Sequence, residues 1–173
     1  MRVVNEAAAL AEDITSSHFK YSSSQWRRSR YDIRTRGDLK GPEITDQAFA
    51  QIIRYTGRPT TSHLSSSCFD FYKVCLQDHV ILQALSRDPS PDFFPLMVYI
   101  VTHELVHIVR FSRFIQSFEA YPGDRIQEEA RVHDITGDML RAARVSGVGG
   151  ILRAYRESPD SLGISLDRVA EGA

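Results

Sequence analysis

The segment His103-Glu104-Leu105-Val106-His107 sits inside an apolar run, Phe93 to Phe111, and that combination constrains the fold more than any other feature of the chain. Residues four apart on an α-helix share a face, so His103 and His107 point the same way, while Glu104 sits about 100° round the axis. Polar side chains buried without partners cost free energy, and three of them in so short an apolar stretch each need a satisfying neighbour. A metal ion satisfies both imidazoles at once. Glu104 is then placed to miss the ion and reach a water bound to it, which is the logic of the His-Glu-x-x-His pattern of zinc hydrolases. The competing reading is a core helix with two hydrogen-bonded histidines and a paired glutamate.

At 173 residues, 42% of them hydrophobic and with a net charge of −1, the chain has material for one domain spanning residues 1–173. Within it we expect a helical N-terminal part (1–92), metal-binding helices (93–145) and a C-terminal tail (146–173). The best candidate for a bilayer span, Phe93 to Phe111, contains His103, Glu104, His107 and Arg110, which argues against one. The first residues lack the apolar core of a secretion signal, so the expected compartment is the cytoplasm and Cys68 and Cys75 are expected to be free thiols. Their spacing fits neither a redox nor a zinc Cys-x-x-Cys pair. Seven apart on a helix, they would pack on one face.

Spacings of three and four recur along the chain and strand-like alternation is scarce, so the expected fold is mainly α. Ala7, Ala8, Leu10, Ala11 and Ile14 mark a helix over about Asn5 to Phe19, and the serine cluster Ser22 to Ser24 ends it. The same periodicity predicts helices over Thr45 to Tyr55 (Ala48, Phe49, Ile52, Ile53) and Phe69 to Leu85 (Phe71, Val74, Cys75, Leu82), separated by a Ser/Thr-rich loop, Thr60 to Ser67. Asp88 to Asp92 is a proline-bearing turn. The helix carrying the histidines is expected to begin near Pro95 and run through Phe111. Tyr121-Pro122-Gly123-Asp124 reads as a turn before a long helix from Arg125 to Val145, with a short one over Ile151 to Arg156 and a fraying tail around Ser158-Pro159-Asp160.

Between Trp26 and Lys40 six basic residues, Arg27, Arg28, Arg30, Arg34, Arg36 and Lys40, face only Asp32 and Asp38. Nucleic acid is disfavoured as a partner, because the domain as a whole is not basic and phosphate binding leaves a stronger charge imprint. A solvated face, or arginines pairing with acidic helices, accounts better for the Arg27–Arg36 segment.

Two histidines do not complete a catalytic zinc site, which usually has three protein ligands. The helix after the Tyr121 turn opens Gln127-Glu128-Glu129-Ala130-Arg131-Val132-His133-Asp134, where Glu128, Glu129 and His133 can each serve. Here the chain resembles the gluzincin metallopeptidases, which join His-Glu-x-x-His on one helix to a glutamate ligand on a helix downstream. Thermolysin-like members write the second helix as Glu-Ala-x-x-Asp. Other relatives, membrane-linked or cleaving phage repressors, place apolar or small residues three, six, seven, ten and eleven positions after the glutamate. Counted from Glu129, this chain has Ala130, Val132, His133, Ile135, Thr136, Met139 and Leu140 at offsets of one, three, four, six, seven, ten and eleven, a better match than from Glu128. Periodicity and resemblance together favour Glu129. His133 stands where the thermolysin-like aspartate would be, leaving open a transition-state role for it, an orienting role for Asp134, or ligation by His133 itself. Acidic residues in a first helical turn also favour the macrodipole with no metal at all. The compact three-histidine pattern is absent, with Arg110 and Phe114 in its glycine and last histidine positions.

The resemblance covers about residues 103–140 and implies a compact zincin-like helical domain. A small edge sheet would lie beside the active-site helix, with Tyr31 to Thr35 its best strand candidate. It further implies one zinc ion on His103, His107 and Glu129, with Glu104 as general base and His133, Tyr121 or Arg110 as oxyanion donors. The expected activity is hydrolysis of a protein or peptide substrate. The alternatives are a catalytically inactive zincin-like binding or regulatory module and a metal-dependent hydrolase of a non-peptide substrate.

Overall fold

The computed structural model describes residues 2–57, 69–89, 91–117, 121–157 and 170–172. The expected loop Thr60 to Ser67, Cys68 and the Ser158-Pro159-Asp160 segment lie outside the described residues. Mainly helical secondary structure combines with a small mixed sheet. Six helices, α1 (Arg2–Phe19), α2 (Ser23–Arg28), α3 (Asp78–Arg87), α4 (Phe93–Ser112), α5 (Pro122–Ala142) and α6 (Val148–Glu157), accompany strands β1 (Arg30–Thr35), β2 (Ala50–Gly57), β3 (Phe69–Leu76) and the three-residue β4 (Ala170–Gly172).

Every residue of α4 from Pro95 to Phe111 is buried. A helix apolar all round needs cover on all sides. The cover comes from α1, which turns Ala7, Ala11 and Ile14 inward, from α5 and α6, and from the sheet through β2. By length and composition α4 is the one described helix able to cross a bilayer, yet 89% of its apolar window is buried inside the fold. Its buried Leu, Ile and Val side chains each contribute about 1.5–3 kcal/mol.

The sheet has the order β1-β3-β2-β4, with β2 and β3 antiparallel and β1 and β3 parallel. The expected strand Tyr31 to Thr35 is present as β1. Two expected helices are not. Thr45 to Tyr55 holds most of β2, which runs on to Gly57, and the first half of Phe69 to Leu85 is β3, with α3 beginning only at Asp78. The N-terminal part is therefore helical and stranded, and Cys75 lies on a strand. The physical reason is two-sided burial: an interior strand covered on both faces shows no polar alternation. Phe49, Ala50 and Ile52 join the main core, whereas Ile53 packs with Leu39 and Cys75 in a second, smaller core. Burial pushes the Cys75 thiol up to about 12, as expected of an inert packing thiol.

The irregular stretch between β1 and β2 is pinned by buried polar groups. Glu43 accepts from Tyr55 Oη (2.7 Å) and the Lys40 backbone N–H (2.9 Å) and pairs with Lys73. Gln77, fully buried, donates to the Glu43 and Cys75 carbonyls and accepts from the Thr45 backbone N–H.

Helix bounds differ slightly from those expected. α4 starts two residues before Pro95, and α5 starts at Pro122, so the expected turn at Tyr121 is its N-cap and first turn. After α5 the chain turns through Gly147, whose φ of +82° lies in the left-handed region and where an added Cβ would meet Pro95 at the start of α4.

Candidate metal centre

Along one stripe of α4 stand Tyr99, His103, His107 and Phe111, each four residues from the next, so each ring contacts the one after it. The His103 and His107 ring centroids are 4.9 Å apart, and His107 stacks on Phe111 at 5.9 Å. Helix α5 crosses this stripe and buries Glu128, Glu129, Val132, His133 and Thr136, the spacing of one helical face. Of the positions counted from Glu129, Met139 and Leu140 are also buried, Ile135 is half-buried and Ala130 is exposed.

Glu129 reaches both imidazoles. Its Oε1 lies 2.6 Å from His103 Nε2 and its Oε2 lies 3.2 Å from His107 Nε2, while the two Nε2 atoms are 3.1 Å apart. These three residues, all buried, form a group able to hold a metal ion. Tetrahedral coordination with bonds of about 2.0–2.1 Å sets ligand atoms about 3.3 Å apart, which the observed separations approach. Burial pushes the Glu129 carboxyl up, but the charges and hydrogen bonds of His103 and His107 outweigh it and hold the group well below the usual carboxylate range.

The surroundings orient these side chains. His107 Nδ1 donates to Gln116 Oε1 at 3.0 Å, which orients the ring so that Nε2 faces Glu129 and His103. Gln116 arrives there because Phe114, with φ of 54°, caps α4 in the left-handed conformation, while the Ile115 N–H bonds the Arg110 carbonyl. No sequence pattern marks Gln116, since its role depends on that turn. His103 Nδ1 has no hydrogen-bond partner among the described residues.

Glu104 is buried, 4% exposed, and with His103 lines a narrow recess closed by Phe49, Ala50, Tyr99 and Ile100. The recess offers about 10 Å³ to the centre of a water, enough for one molecule. His133, one turn after Glu129, is buried and its Nδ1 is hydrogen-bonded to Tyr99 Oη, whose ring lies 6.0 Å from that of His103. Thus His103, His107 and Glu129 come together, with Glu104 and His133 beside them.

The other candidates are placed elsewhere. Glu128 turns to Arg110 and to Arg131 (2.7 Å), tying α5 to α4 through a buried ion pair, so neither Glu128 nor Arg110 is directed at the imidazoles. Tyr121 is 81% exposed and Asp134 is exposed. Compared with protein-family models, with curated proteins and with solved structures, the chain matches none of them.

Proposed function

We propose that the chain is a zinc-dependent peptidase of zincin-like type. One observation carries this reading: two imidazole nitrogens and a carboxylate from a neighbouring helix converge within bonding reach of a single small ion, beside a buried glutamate and a water-sized recess. His103, His107 and Glu129 would hold the ion. The two-nitrogen, one-oxygen donor set suits zinc, which when bound polarises a carbonyl and brings the acidity of a water near neutrality.

The remaining chemistry falls to the chain's own side chains. Glu104 accepts the proton of the attacking water and returns it to the departing amine nitrogen. His133, steadied at Nδ1 by Tyr99, presents its other ring nitrogen to the carbonyl oxygen as negative charge builds there. Gln116 keeps His107 in the ligating orientation.

The test is elemental analysis of the purified chain followed by cleavage of a peptide library with and without chelator. One zinc per chain and chelator-sensitive cleavage are expected, and Glu104→Gln should keep the zinc while losing hydrolysis. Full turnover by that variant removes Glu104 as the base. Stoichiometric zinc with no cleavage of any peptide overturns the peptidase reading in favour of a binding module.

A further inference from the structure

At the Phe111 end of α4 the surface opens into a recess of about 420 Å³, the size of a small-ligand site. Arg27, Arg28 and Arg30 stand on one wall, Tyr72 and Phe111 supply apolar ring surface, and Asp70 completes the rim. Arg27 and Arg28 are exposed, and no carboxylate among the described residues pairs with either. The wall that carries them is held in place by buried hydroxyls. Tyr21 Oη bonds Ser29 Oγ (2.7 Å), beside the arginines, and Ser112 Oγ (2.8 Å) at the end of α4. The guanidinium groups of Arg27 and Arg28, on a wall shared with Arg30 and opposed among the described lining residues by the one carboxylate of Asp70, form a receptor for an anionic group on an otherwise near-neutral molecule.

The recess adjoins the metal centre. Phe111 stacks on His107 at 5.9 Å and on Tyr72 at 6.0 Å, so one ring separates the recess from a metal-ligating imidazole. Phe111, buried and in contact with both, sets the recess on the His107 side of the centre. Asp70 on the rim repels dense negative charge, which favours a single carboxylate over a polyphosphate backbone.

We propose that this recess binds an acidic side chain of the peptide substrate, near the bond that is cleaved. The proposal rests on the peptidase reading, and its first test is independent of turnover. The full chain, zinc-loaded and isotope-labelled at arginine, is titrated with N-acetyl-glutamate N-methylamide and with the glutamine analogue while the Arg Nε signals are followed. Saturable shifts at Arg27 and Arg28 with the glutamate compound alone support the proposal. Equal shifts with both compounds, or none, overturn it.

In cleavage by the wild-type chain, Glu near the scissile bond should raise kcat/KM about threefold to tenfold over Gln, the modest amount expected of two exposed ion pairs. Arg27→Glu/Arg28→Glu should erase that preference while leaving zinc content and unfolding temperature unchanged. Tighter binding of a single-stranded oligonucleotide than of an acidic peptide would overturn the assignment in favour of nucleic acid. Failure of the peptidase reading shows separately, as selective carboxylate binding with no cleavage of any peptide.

Discussion

Replacing Gln116 by alanine removes the acceptor 3.0 Å from His107 Nδ1 without touching a proposed metal ligand. Loss of such an orienting partner typically weakens metal affinity about 10- to 100-fold. At free zinc 100 times the wild-type Kd, binding stabilises the fold by about 2.7 kcal/mol. With Kd raised tenfold the same zinc stabilises by about 1.4 kcal/mol, and with Kd raised 100-fold by about 0.4 kcal/mol. The loss is thus about 1.3–2.3 kcal/mol, equivalent to about 3–9 °C in a domain of this size. The assay is thermal unfolding with and without buffered zinc, alongside a chelator competition for Kd. Comparing the zinc-induced rise in Tm, rather than Tm itself, cancels the hydrogen bond that the variant also loses in the metal-free state. Gln116→Glu, which keeps an acceptor oxygen, should retain most of the rise. An undiminished rise in Gln116→Ala would refute the claim that this contact orients the His107 ring.

Glu43 offers a pH signature away from the metal centre. Burial pushes its carboxyl up, but hydrogen bonds from Lys73, Tyr55 and the Lys40 backbone outweigh that and hold it below its ordinary 4.5. A group depressed in the folded state contributes stability above its unfolded value and loses it as pH falls through the folded one, so Glu43→Gln should flatten the decline of the urea midpoint below about pH 4.5. Identical acid limbs in the two proteins would contradict this. At Gly147, alanine must adopt a left-handed backbone and bring its Cβ to 2.9 Å from Pro95 Cγ. A destabilisation of about 1–3 kcal/mol is expected in denaturant titration. A change within error would show that the turn relaxes freely.

His103 and His107 were legible as a pair because four-residue spacing on a helix is a local property, and Phe93 to Phe111 marked that helix as buried by composition alone. The Glu129 periodicity was legible for the same reason. Position 129 was separable from 128 by the apolar and small residues that follow it, read together with the gluzincin resemblance, and the fold then gives the two neighbours different partners, the imidazoles for Glu129 and arginines for Glu128. β2 and β3 were not legible. Ile52 and Ile53 enter different cores on opposite faces of one strand, and that two-sided cover produces a continuous apolar run which imitates a helix stripe.

What the chain's order of residues determined by itself was a buried helix with two imidazoles on one face and an acidic helix downstream able to meet it. Tertiary structure decided which carboxylate meets them, that Gln116 folds back on His107, and that Arg27 and Arg28 share a recess with Phe111, which lies more than 80 residues away along the chain. Such contacts depend on how helices cross and where a capped turn sends the backbone. Helical and strand periodicities carry only the direction of each side chain relative to its own element, so the meeting of elements is set by packing.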